Sequence, residues 1–173
     1  MLIRRESATD AAAIRVITAA AFARPGRPGQ APAEVRLVDE LRDGEAWLPA
    51  LSLVATGPDG DVTGHVLCTR AHVEEAPVLA LGPLTVRPES QRGGVGTALM
   101  HAVLGAADAL GEPLVALLGD PGYYRRFGFR LAGQYRIIPP VASWQPHFQV
   151  RVLSCYRPPV AGTFRYAEPF DRT

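Results

Sequence analysis

The apolar positions change period along the chain. Residues 2–5 read as a short strand, and Thr9 or Ser7 can then cap a helix over 10–22, with Ile14 and Ile17 on one face. The run Arg24, Pro25, Gly26, Arg27, Pro28 and Gly29 breaks that helix. A second helix is predicted over 32–42, striped by Val35, Leu37, Val38 and Leu41, and Gly44 stops it. Strands are predicted at 50–56 and 62–73, joined by the turn Gly57, Pro58, Asp59, Gly60. The stretch 78–86 is almost wholly apolar, as a strand covered on both faces requires. A helix over 94–110, a buried strand over 114–118 and a short helix over 123–127 follow. Late strands are predicted at 136–138 and 149–154, and 162–166 looks strand-like, fit to complete the sheet or form a dimer edge. The predicted architecture is one α+β domain over 1–173 with a mixed, mostly antiparallel sheet flanked by helices. Residues 1–138 form its core and 139–173 its C-terminal strands and tail.

Composition narrows the function. A net charge of +1 argues against a broad grip on nucleic acid or a membrane. Nothing in the sequence approaches a transmembrane run, and the N-terminus lacks a signal-peptide pattern, so a cytoplasmic location is expected. All 18 basic residues are arginine, so both a P-loop lysine and Schiff-base catalysis are excluded. Cys68 and Cys155 have no CxxC spacing and are expected in the core. His65 and His72 lie on opposite faces of one predicted strand, so no metal site is expected.

The chemistry concentrates after the long apolar strand. Gln91, Arg92, Gly93, Gly94, Val95, Gly96 and Thr97 form a glycine-rich turn leading into a helix. Unpaired N–H groups and the positive dipole end make such a turn a phosphate cradle, and glycines let the ligand approach. The Rossmann spacing fails, because Leu99 stands where its third glycine belongs.

This segment resembles the (Gln/Arg)-x-x-Gly-x-(Gly/Ala) signature of the GCN5-related N-acetyltransferase (GNAT) superfamily. A second segment, Gly119, Asp120, Pro121, Gly122, Tyr123, Tyr124, Arg125, Arg126, Phe127, Gly128 and Phe129, resembles a later motif of the same family. The resemblance implies a sheet with splayed central strands and acetyl-CoA as cosubstrate. It implies that residues 91–97 hold the pyrophosphate and that the main chains of Leu84 and Val86 pair with the pantetheine arm. It also implies that Tyr124 protonates the departing thiolate. Tyr123 reads as a core aromatic.

Many family members place a glutamate on the central strand as base, but residues 79–84 contain no carboxylate. Glu74, Glu75, His72 or a water chain remain as candidates. Arg125 and Arg126 read as a solvated face or a contact for the adenine-side phosphate. Phe22, Trp47, Trp144 and Phe148 are candidates for lining an acceptor pocket. The expected activity is direct acetyl transfer to an amine of a small molecule or protein, by a monomer or homodimer. A CoA-binding sensor without transfer is the alternative, favoured by the missing carboxylate. A domain binding another nucleotide through the same loop is a weaker third.

Overall fold

A computed structural model describes residues 1–23 and 31–172. The predicted break at 24–29 lies outside the described residues. Among the described residues, nine strands form one connected sheet. They are β1 (Leu2–Arg5), β2 (Trp47–Thr56), β3 (Val62–Val73), β4 (Ala76–Val86), β5 (Leu114–Leu118), β6 (Arg130–Leu131), β7 (Ile137–Ile138), β8 (Phe148–Val152) and β9 (Gly162–Arg165). The helices are α1 (Ala11–Ala21), α2 (Ala33–Arg42), α3 (Val95–Ala109) and α4 (Pro121–Tyr124).

Strands β1 to β4 form an antiparallel meander, and α3 then carries the chain across to β5, which runs parallel to β4. Strand β8 pairs antiparallel with β5, and β6 with β8. The tail strand β9 completes the sheet, pairing with both β3 and β7.

Helix α3 covers one face. Leu99, Met100, Val103 and Leu104 pack there with Val66, Cys68, Leu79 and Leu81. Gly64 is needed on this face, because a Cβ would lie 2.9 Å from Val95 and Leu99 side-chain carbons. Helices α1 and α2 cover the other face with Ile14, Ile17, Leu37, Val38 and Leu41 against Val54 and Leu67. The first helical turn is set by Asp10, which accepts from the Ser7 N–H at 2.8 Å and holds Arg4 at 2.7 and 2.9 Å.

Most predicted elements are present with ends shifted by one to three residues. Trp47 extends β2 earlier, and a short 3-10 turn, Ala8–Asp10, precedes α1. The predicted helix at 123–127 starts earlier and splits into α4 and a 3-10 turn, Arg125–Phe127. Strand β6 is two residues long, too short to show a period.

Candidate functional site

The site is built by the failure of one ladder. Strands β4 and β5 pair at Leu79 with Val115 and Ala80 with Ala116. Beyond that point β4 runs on through Leu81, Leu84 and Val86 with β3 alone as its partner. A bulge opposite Val66 and Cys68 marks the same place, where Gly82 takes φ +146°. Residues of β4 past Ala80 therefore present main-chain groups toward a gap rather than toward a strand.

The turn after β4 faces that gap. Arg92 and Gly94 both adopt left-handed conformations, at φ +60° and +86°. The first intrahelical bond of α3 runs from Ala98 N–H to Gly94 O at 2.9 Å. No hydrogen bond of ordinary geometry runs from the N–H groups of Arg92, Gly93, Gly94, Val95, Gly96 and Thr97 to a carbonyl among the described residues. Successive free N–H groups through left-handed residues make a concave anion site. A Cβ at Gly94 would meet nothing within 4 Å, so the loop is open above the amides. Gln91 Nε2 donates to Val86 O at 3.2 Å and ties the turn to the strand end.

A cleft of about 620 Å³ lies here, lined by Leu84, Val86, Gln91, Arg92, Gly94, Gly96 and Thr97. Ala21 and Phe22 at the end of α1 form one wall, and Tyr123 and Arg126 another. Seven of the nine residues expected to hold the coenzyme thus line one cavity. Gly93 and Val95 do not line it. The Val95 side chain turns to Gly64, so Val95 can contribute only its main chain.

The two tyrosines sit side by side, with ring centroids 4.9 Å apart. Tyr123 packs half-buried against the core under α3, as expected, and it also lines the cleft, where a Cβ on Gly96 would lie 3.2 Å from its hydroxyl. Arg126 stacks over the Tyr123 ring at 4.7 Å and donates to its carbonyl at 2.9 Å. Tyr124 lies against Gly119 at the end of β5, with its ring edge-on to Tyr123 and Phe129. Burial, with a smaller contribution from Tyr123, pushes the Tyr124 phenol up to about 12. It therefore keeps its proton at neutral pH.

Several other expectations are corrected. Glu74, Glu75 and His72 sit at the β3–β4 turn, and Glu74 accepts from Thr163 N–H at 2.6 Å. That turn is roughly 30 Å along the strand from Leu84, at about 3.3 Å per residue, too far for a base. Phe148 is fully buried, Trp144 stacks on Tyr166, and Trp47 lies 5.6 Å from the Arg42 guanidinium. Phe22 alone of the proposed acceptor-pocket aromatics reaches the cleft. Cys68 is buried as expected, and burial pushes its thiol far up, but Cys155 is exposed. Arg126 lines the cleft, whereas Arg125 lies on the other side of α4.

Sequence reasoning missed one buried polar cluster. Glu6, just past β1, accepts from Ser52 Oγ at 2.5 Å and from Arg42 Nε at 2.6 Å. His65 Nε2 lies 2.9 Å from Ser52 Oγ and 3.2 Å from Glu6 Oε2. Burial pushes the Glu6 carboxyl up, but the hydrogen bonds from His65, Ser52 and Arg42 outweigh it and hold it at about 2. No local signal could reveal this cluster, because its members come from four separate elements. Among the described residues no group of three or more metal-ligating side chains occurs, and no helix is long and apolar enough to cross a membrane.

Comparison with known proteins agrees with this geometry. The family model for an acetyltransferase (GNAT) domain matches residues 3–132. YhbS of Escherichia coli K12, named as an uncharacterized N-acetyltransferase, is 32% identical over 99% of this chain and 99% of its own. The crystal structure of E. coli YhbS in complex with CoA superimposes with a TM-score of 0.87, at 30% identity over 99% of this chain and 92% of that one. A GNAT acetyltransferase from Brucella melitensis, solved with acetyl-CoA, gives a TM-score of 0.78 at 35% identity over 98% of this chain and 97% of that one. A domain match across three quarters of the sequence, with end-to-end similarity to such relatives, places the chain in the GNAT acetyltransferase family.

Proposed function

We propose that the protein is an acetyl-CoA-dependent N-acetyltransferase that moves the acetyl group directly to an amine held in the same complex. The observation that carries this reading is the run of six N–H groups at 92–97 with no well-formed carbonyl partner among the described residues, opening on the gap where β4 leaves β5. The 620 Å³ cleft suits a long, thin cosubstrate with an anionic middle.

In this reading the N–H groups and Arg92 hold the pyrophosphate, and the dipole of α3 adds to their field. The main chains of Leu84 and Val86 take the place of a neighbouring strand for the pantetheine arm. A free N–H at that edge polarises the thioester carbonyl. The Tyr124 phenol, protonated at neutral pH, gives its proton to the thiolate as the C–S bond breaks. The acceptor is an amine of a small molecule or a protein, and the enzyme works as a monomer or homodimer in the cytoplasm.

The test is an amine panel with acetyl-CoA, following free thiol release against a no-amine control. Amine-dependent thiol release is expected. Tight CoA binding without release for any amine would instead support a sensor.

A further inference from the structure

We propose that His65 is the proton acceptor of a relay serving this site, drawing the proton from the amine through water held at Thr85 and Thr18. The inference rests on the acetyl-transfer reading and supplies the base that β4 itself lacks.

Three observations converge. The first is the bonding of the imidazole. Ser52 Oγ commits its one hydrogen to Glu6 Oε2, so its lone pairs face His65 Nε2. The Nε2 must then carry the hydrogen, and Nδ1 is left as a bare lone pair. Nδ1 has no partner among the described residues, and His65 is 0% exposed. A buried acceptor left unpaired costs stability unless water reaches it.

The second is what stands opposite. Thr85 is the register partner of His65 across the β3–β4 ladder. Its hydroxyl is also buried and unpartnered, as is that of Thr18 on the buried face of α1. Directly opposed side chains on a sheet are about 5 Å apart at Cβ, a span that one water bridges.

The third is position. Thr85 lies between Leu84 and Val86, whose side chains face the cleft, so Thr85 points to the other face of the same backbone. Thr18 lies one turn before Ala21 and Phe22, which form the cleft wall. The orphaned hydroxyl of Thr85 therefore lies on the sheet face that His65 shares, next in sequence to residues that line the cleft.

The charged groups around the imidazole suit the task. Glu6 beside Nε2 is anionic and favours the imidazolium, as does Asp10 ahead of α1, which Arg4 holds. Burial and Arg42 of α2 oppose it, while Asp39 draws part of the Arg42 charge. The resting ring is neutral, and the relay stores a proton only transiently. One proton passes from R–NH3⁺ through water to Nδ1. The freed amine lone pair forms the C–N bond, and the C–S bond breaks. The thiolate takes the Tyr124 proton, and the second nitrogen proton restores Tyr124. After the product leaves, His65 returns its proton to water along the same hydroxyls.

The test is the pH dependence of steady-state acetylation in wild type, His65→Gln and Thr85→Val, with CoA affinity and thermal stability measured beside it. Wild type should show an acid limb in kcat, and His65→Gln should lower kcat about 100-fold and abolish that limb. Thr85→Val keeps the imidazole and the side-chain shape. It should lower kcat about 10-fold with KM for acetyl-CoA unchanged. Turnover of both folded variants within about twofold of wild type, with the acid limb intact, would overturn the relay. If His65→Gln does not fold, Thr85→Val alone decides. Wild type inactive toward every amine contradicts acetyl transfer itself, whereas turnover that survives both substitutions contradicts only the relay.

Discussion

The two halves of β4 are similar in hydrophobicity and opposite in role. Val78, Leu79 and Ala80 are 0% exposed, and Leu79 and Ala80 sit between β3 and β5. Past Ala80 the strand keeps β3 and loses β5, and its residues alternate between buried and half-buried through Val86. The first half closes the core. In the proposed reading the second becomes a site, because main-chain groups left without a strand partner can be met by a ligand. On that proposal, binding here comes from withheld pairing rather than from special side chains.

The contrast predicts separable losses. Leu79→Ala, in the closed half, should cost about 3 kcal/mol of stability by leaving a cavity. Its midpoint in denaturant would fall, while the folded protein bound CoA normally. Gly94→Val, at the end of the open half, should do the reverse. It forces a β-branched residue to φ +86° and fills the space above the free amides. CoA affinity should fall about 100-fold in a calorimetric titration, equivalent to roughly 2.7 kcal/mol. Equal affinity for Gly94→Val and wild type would mean that the turn is only structural.

Tyr124→Phe should lower kcat by about 10- to 100-fold with little change in coenzyme affinity. Unchanged turnover would remove the acid role and turn attention to Tyr123, whose hydroxyl lies by Gly96. The smallest effect concerns pH. Glu6 falls to about 2 in the fold from an ordinary 4.5, so its stabilising contribution is complete above about 4.5 and lost as pH drops toward 2. His65, lowered by burial, acts in the same direction from about 6.5 downward. Thermal unfolding should therefore shift to lower temperature on acidification, and less steeply in Glu6→Gln.

The glycine turn before α3 was legible because its physics is local. Glycines at 93, 94 and 96 between an apolar strand and a helix determine both the bend and the open amides. The apolar run of β4 likewise announced a central strand. Its splay from β5 was not written in any period, since it depends on where two distant strands part. That Tyr123 also borders the cleft escaped for a similar reason: adjacent aromatics in a four-residue helix carry no facing signal. The Glu6, Ser52 and His65 cluster escaped because its hydrogen-bonded pairs are 46 and 13 residues apart, and only the β2–β3 register and the β1 end bring them together. His72, Glu74 and Glu75 looked suitable by residue type, but the length of β4 separates them from the chemistry.

Thermal unfolding with acetyl-CoA, free CoA and ATP, each near 100 times the expected dissociation constant of the coenzyme, tests the central claim most directly. Both CoA species should stabilise the protein by about 2.7 kcal/mol, a rise of roughly 5–10 °C for a domain of this size, and ATP should not match them. An unmoved transition with both CoA species at millimolar concentration would contradict the claim that the open half of β4 and the first turn of α3 form a coenzyme cradle.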